Sequence, residues 1–182
     1  ASKVAADQLS LSFYKSFNLP VSIIRPFNTY GPRQSARAII PTIITQSYKK
    51  KIIDLGSLHP KRDLLFVEDT VRGIMSAVGN RKSIGEIINL GSGYEISVKE
   101  LIKRISLLSK RKIEYKINKD RIRPKDSEVN RLLASNKKAK KLLKWSPVLS
   151  GQKGLDYGLK QTINWFSSKK NLNLYKTKDF NY

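Results

Sequence analysis

Cysteine is absent from the sequence, so neither a disulfide nor a thiolate-held metal can be built from this chain. His59 is the single histidine, which leaves no material for a histidine-rich metal centre or an internal Ser–His–Asp triad. No metal site is expected. No apolar run approaches the ~20 residues needed to cross a bilayer, and no charged-then-apolar leader opens the sequence. A cytoplasmic location without a membrane partner is the default expectation. A glycine-rich phosphate loop is missing too. Gly91-Ser-Gly93 is too short to be one, so the 182 residues hold no complete dinucleotide-binding unit of their own.

Acidic residues are scarce. Fourteen Asp and Glu stand against 36 Lys and Arg, a formal net charge of +22. Charge of that size makes nucleic acid or another polyanion a legitimate partner class. Its distribution argues for solvated faces instead. Lys49 to Lys51, Arg81-Lys82, Lys103-Arg104, Lys110 to Lys112 and Lys137 to Lys141 fall on helix ends and polar faces. No helix-turn-helix, zinc-knuckle or RNP-type string accompanies them. Nucleic acid is not the expected partner, although an anionic small molecule would be drawn by the field.

With 40% hydrophobic residues the chain can bury a sizeable core, and it reads as alternating α and β. A helix is expected over Ser2 to Phe17, with Val4, Ala5, Leu9, Leu11, Phe13 and Phe17 as its apolar set, ended by Asn18 and Pro20. Val21 to Ile24 is an apolar strand. Ile39 to Tyr48 reads as helix with Pro41 in its first turn, Ile52 to Leu55 and Asp63 to Val67 as strands, and Glu86 to Leu90 as another. Asp69 is expected to cap a helix to about Val78, and Asp63 to be a turn residue. Ser97-Val-Lys-Glu100 is a capping box before Leu101, Ile102, Ile105 and Leu108. Lys112 to Ile117 alternates as a strand, and residues 118–130 form a polar loop. Ser135 or Asn136 opens a short helix to Leu143, Ser150 opens a last one through Trp165-Phe166, and a partly loose tail runs from Lys169.

The chain is organised around Arg25-Pro-Phe-Asn-Thr-Tyr-Gly-Pro-Arg-Gln34. A buried strand that ends in a polar loop fixed by Pro and Gly presents side chains at the carboxyl edge of a sheet, where open α/β folds bind ligands. Asn28 offers a two-way hydrogen-bonding group, Tyr30 an aromatic face, and Arg25, Arg33 and Gln34 donors. The string RPFNTYGPRQ resembles the loop after the sixth strand of extended short-chain dehydrogenases, the NAD-dependent sugar-nucleotide epimerases and dehydratases. Three further strings resemble the same family in the same order. They are Arg62-Asp-Leu-Leu-Phe-Val-Glu-Asp69, Ile88-Asn-Leu-Gly-Ser-Gly93, and Arg123-Pro-Lys-Asp-Ser-Glu-Val129 with its sequel to Leu143-Lys-Trp145. Leu64 replaces an aromatic residue and Lys144 a glycine. Ala1-Ser-Lys3 resembles the end of the family's Tyr-x-x-x-Lys motif, whose tyrosine would precede Ala1 by two residues.

The resemblance implies an α/β fold: the C-terminal part of a Rossmann-like extended short-chain dehydrogenase with a smaller, mixed α/β substrate-binding domain. Residues 1–35 would end the NAD-binding domain. Residues 36–168 would form mainly the substrate domain, with 52–90 returning strands to the Rossmann sheet, and 169–182 would be a tail. It also implies roles. Lys3 would hydrogen-bond the nicotinamide ribose and lower the proton affinity of the upstream tyrosine, which acts as base while NAD accepts a hydride. Pro26 and Phe27 would line the nicotinamide. Asn28, Arg33, Arg62, Asn89, Arg123 and Glu128 would bind a nucleoside-diphosphate sugar, Arg62 and Arg123 clamping its diphosphate. The strings most resemble 4,6-dehydratases of the UDP-N-acetylglucosamine and GDP-mannose types. A UDP-sugar 4-epimerase is the alternative within the family, and a basic polyanion-binding module the alternative outside it. A homodimer through helix 2–17 is the expected assembly.

Overall fold

The computed structural model describes residues 1–175. In chain order the elements are α1 (Ser2–Phe17), β1 (Ile23–Pro26), β2 (Asn28–Tyr30), α2 (Ile39–Lys49), β3 (Ile52–Leu55), β4 (Lys61–Phe66) and α3 (Val67–Ala77), then β5 (Ile87–Leu90), β6 (Glu95–Ser97), α4 (Val98–Ser109), β7 (Glu114–Ile117) and β8 (Arg131–Leu132), and finally α5 (Lys137–Leu143), α6 (Gly151–Ser167) and α7 (Lys169–Leu172). β1 and β5 form a parallel pair in which Arg25 lies beside Asn89 and Pro26 beside Leu90. β4 is the hub of a second sheet, parallel to β2 and β8 and antiparallel to β6. β3 and β7 make a third, parallel pair. Of the strands in 52–90, β5 is therefore the one that joins β1.

Side chains alternate across a strand, and β4 uses that alternation to serve two cores. Leu64 and Phe66 enter the larger one with Ile40, Ile43 and Ile44 of α2, Leu101, Ile102 and Ile105 of α4, and Leu155, Leu159, Ile163 and Phe166 of α6. Leu65 points the other way, into a smaller core with Ile88, Leu90, Leu143 and Trp145. Burial on both faces explains the unbroken apolar run Leu64-Leu-Phe66. Pro41 is tolerated as the third residue of α2, because the first N–H groups of a helix have no intrahelical partner. The capping box of α4 is present as expected: Ser97 Oγ accepts from Glu100 N, and the Glu100 carboxylate accepts from Ser97 N at 3.0 Å. Lys144, standing where the family has glycine, takes the left-handed conformation at the end of α5, φ 54°.

Several expectations are corrected. The organising loop contains a strand, β2, and Tyr30 at its end is a core residue 2% exposed. Its hydroxyl donates to Leu155 O, and α6 approaches so closely that a Cβ on Gly158 would lie 2.3 Å from Tyr30 Oη. Burial first, then the Asp69 and Asp156 carboxylates, hold the Tyr30 phenol well above its usual range, so it stays protonated near neutrality. Asp69 is no helix cap, since α3 already starts at Val67. Its buried carboxylate accepts from Val148 N and Leu149 N at 3.0 and 2.9 Å and pairs with Arg72, fastening the segment that leads into α6. Asp63 is no turn residue but fully buried in β4. Asn136 and Ser150 precede α5 and α6 without side-chain caps; Asn136 holds the Gly91 backbone and Ser150 donates to Ser92 O. The segment after Lys169 begins with a helical turn, and residues 176–182 lie outside the described residues.

Candidate functional site

The carboxyl ends of β1 and β5 open onto a cavity of about 650 Å³ lined by Arg25, Pro26, Phe27, Asn28, Thr29, Asn89 and Leu132. This is the strand-end position at which parallel sheets bind ligands. Beside it lies a second cavity, about 570 Å³, walled by β2, α2, the end of β3, β4 and the 121–132 segment. Four arginines line it, Arg37, Arg62, Arg121 and Arg123, with Glu128 as the single carboxylate. Asn28, Thr29 and Leu132 line both cavities and form the seam between them.

The nine residues read from the sequence divide between these spaces. Pro26 and Phe27 line the strand-end cavity, and Asn89 lies with them rather than with the arginines. Arg62, Arg123 and Glu128 come together in the arginine cavity, and Asn28 stands at the seam. Arg62 and Glu128 are hydrogen-bonded to each other at 2.9 Å, and Arg62 also donates to Val129 O and Lys61 O. A diphosphate on Arg62 would therefore compete with Glu128 for the same guanidinium. Arg33 lines neither cavity; it is exposed, in a left-handed turn at φ 65°. Lys3 lines neither as well. It stands one helical turn before Asp7, whose carboxylate accepts from Arg25 Nε at 2.8 Å and so ties α1 to the end of β1.

Sequence reasoning missed Arg37 and gave Arg121 no role in the site. The signal for Arg37 was its place between the organising loop and α2. For Arg121 no local signal exists, because a contact between distant segments brings it in. Asn118 N donates to Leu55 O at 2.8 Å, and a Cβ on Gly56 would meet Arg121 O at 2.2 Å. Only glycine at 56 lets the turn carrying Arg121 sit down on the end of β3.

Chemically, the arginine cavity suits an anion with paired oxygens, since each planar guanidinium can form a forked, charge-assisted bond. The strand-end cavity, with Pro26 and Phe27 in its wall and the Asn89 amide beside them, fits a flat ring with a polar edge. Parallel strand ends next to an arginine-lined cavity are a place where an open α/β protein can take an anionic ligand. Comparison with known proteins carries this further. The profile of the GDP-mannose 4,6 dehydratase family matches residues 1–157, and the chain belongs to that family, within the NAD-dependent sugar-nucleotide epimerases and dehydratases of extended short-chain dehydrogenase type. UDP-glucuronate 4-epimerase of Thermodesulfobacterium geofontis is 33% identical over 180 residues, 97% of this chain and 52% of its own length. The structure of UDP-glucuronic acid 4-epimerase from Bacillus cereus, in complex with UDP-glucuronic acid and NAD, superposes with a TM-score of 0.81 at 27% identity, covering 95% of this chain and 52% of that one. dTDP-glucose 4,6-dehydratase from Bacillus anthracis, in complex with NAD, gives 0.79 at 27% identity over 94% and 52%. The chain thus spans about half the length of the relatives it matches.

Proposed function

We propose that this chain carries the sugar-nucleotide site and the nicotinamide end of the cofactor site of an NAD-dependent 4,6-dehydratase acting on a nucleoside-diphosphate sugar of the UDP-N-acetylglucosamine or GDP-mannose type. The observation that carries this reading is the seam at Asn28 and Thr29, where the arginine cavity adjoins the strand-end cavity. A diphosphate among Arg37, Arg62, Arg121 and Arg123 leaves its sugar beside that seam. Bound NAD supplies the hydride acceptor. Pro26 and Phe27 wall the nicotinamide, Asn89 meets its polar edge, and Lys3 supports the cofactor from the turn of α1 above the Asp7–Arg25 pair. UDP-sugar 4-epimerase is the second reading, favoured by the 4-epimerase relative that matches nearly the whole chain.

Calorimetry tests the binding half on this chain. UDP-N-acetylglucosamine and GDP-mannose are titrated against it, and binding of neither would sink the reading. The reaction is tested on a polypeptide carrying this chain at the length of its relatives. Loss of one water from the sugar nucleotide by mass spectrometry is expected, whereas interconversion at unchanged mass would select the epimerase. By itself the chain is expected to turn over neither substrate.

The assembly is proposed to be a homodimer through α1. That helix buries none of its residues, and Leu9 and Phe17 are 62% and 72% exposed. Apolar side chains left in water on this scale favour burial against a second copy. Sedimentation of the relative-length protein at micromolar concentration should give a dimer that Leu9→Glu converts to monomer; a wild-type monomer would refute it.

A further inference from the structure

Four arginines around one cavity would attract any small anion, inorganic phosphates included. Glu128 is the single carboxylate among the residues that line it. Its Oε1 accepts from Arg62 Nη2 at 2.9 Å. The two side chains are 18% and 19% exposed, so a ligand entering the cavity can meet the pair directly.

The backbone holds the two residues together. Arg62 Nη1 donates to Val129 O, the carbonyl next to Glu128, and to Lys61 O. Lys61 N donates to Asn130 O at 2.9 Å, and from there β8 runs parallel to β4 with Arg62 beside Leu132. The segment carrying Glu128 is thus laced to the strand carrying Arg62. The carboxylate stays close to the cavity even when its own hydrogen bond opens.

That placement treats two kinds of anion differently. Inorganic diphosphate is dense negative charge throughout. At Arg62 it must displace Glu128 or lie against it, and repulsion in a half-buried cavity is screened far less than in open water. A nucleoside-diphosphate sugar carries its charge on one part and hydroxyls on the rest. It can set its phosphates on Arg37, Arg121 and Arg123 and offer a hydroxyl to Glu128. A carboxylate has about four lone-pair sites, enough to accept that hydroxyl and keep Arg62. We infer that Glu128 is a specificity-determining residue, a built-in anion that sets the arginine cavity against inorganic diphosphate and in favour of a phosphate ester bearing hydroxyl groups. This rests on the sugar-nucleotide reading above.

Calorimetry titrates inorganic pyrophosphate, UDP-N-acetylglucosamine and GDP-mannose into the wild-type chain and into Glu128→Gln, which keeps an acceptor for Arg62 and removes the charge. Pyrophosphate affinity should rise about tenfold, a moderate effect for one unit charge taken from a half-buried site. Affinity for the sugar nucleotide that binds should rise by at most about twofold or fall, because a neutral amide oxygen is the weaker acceptor for its hydroxyl. Glu86→Gln is the control. It removes a carboxylate that pairs with Lys138 outside both cavities, and pyrophosphate affinity should change by less than about twofold. Unchanged or weaker pyrophosphate binding in Glu128→Gln, or an equal rise for pyrophosphate and sugar nucleotide, overturns the inference and leaves the site reading intact. So does an equal gain in Glu86→Gln, which would show bulk charge at work. A wild type that binds neither sugar nucleotide overturns both. Should Glu128→Gln not fold, Glu128→Ala carries the same pyrophosphate expectation, since it too removes the charge.

Discussion

Asp63→Ala is expected to lower the unfolding free energy by about 4–5 kcal/mol, the upper end for single substitutions and comparable to the whole stability of many domains. Asp63 is fully buried, and it forms no ion pair among the described residues. Donors neutralise it instead. Oδ1 accepts from Ser92 N and Ser92 Oγ, both at 2.7 Å, and Oδ2 accepts from Gly93 N at 3.0 Å and Ala134 N at 3.2 Å. Alanine leaves the buried Ser92 N–H without its acceptor at roughly 1–3 kcal/mol and the part-buried Gly93 and Ala134 N–H groups at about the low end of that range each, while the Ser92 hydroxyl keeps Tyr94 O as an acceptor. Asp63→Asn retains one accepting oxygen and turns an NH2 group toward two donors, so about half the loss is expected. Urea denaturation followed by circular dichroism reads both. If Asp63→Ala unfolds within about 1 kcal/mol of the wild type, the carboxylate is not the fastening described.

The loss would reach the site. Asp63 joins the β5–β6 turn to the segment running back from Leu132, a residue of the seam, and its own carbonyl accepts from Asn28 Nδ2 at 3.2 Å. The residue that looked like a turn former thus ties together segments that meet at the seam.

In a protein carrying this chain at the length of its relatives, Arg123→Ala should weaken sugar-nucleotide binding roughly tenfold to a hundredfold while leaving NAD binding nearly unchanged. Arg123 is exposed yet lines the arginine cavity, so its removal leaves no buried partner unpaired and the fold should survive. Loss of a charge-assisted bond to a diphosphate oxygen costs about 1.5–3 kcal/mol, which gives that range of affinity. Arg123→Lys should recover part of it, because an ammonium cannot form the fork. Arg121, from the same loop, lines the same cavity, so the mild comparison is Lys160→Ala on the exposed side of α6. Arg62→Ala is a poorer probe, since it also strips Glu128 and Val129 O of their donor. Calorimetric titration with the sugar nucleotide checks the set; Arg123→Ala and Arg123→Lys both binding like wild type would remove this loop from the site.

The sequence by itself determined what depends on neighbours along the chain. Apolar spacing set α1, α2 and β3, the Ser97–Glu100 pair set the start of α4, and the ordered strings from Arg25 to Trp145 marked the family. Through the family resemblance it also brought Arg62, Arg123 and Glu128 forward, in one substrate-binding set with Asn28, Arg33 and Asn89. Only the tertiary structure decided what depends on residues far apart in the chain. Asp63 and Asp69 read as turn and cap, because a short carboxylate before a helix has that local meaning. Their partners lie about 29–80 positions away, and burial converts them into fastenings of other segments. Arg33 and Arg37 are equivalent on composition, yet a left-handed turn leaves Arg33 out of both cavities while Arg37 enters one. Arg121 joins the site because Gly56, with no Cβ, admits its carbonyl. Gln34, read as a donor, gives its N–H to Thr29 O, a partner that the fold rather than local spacing selects.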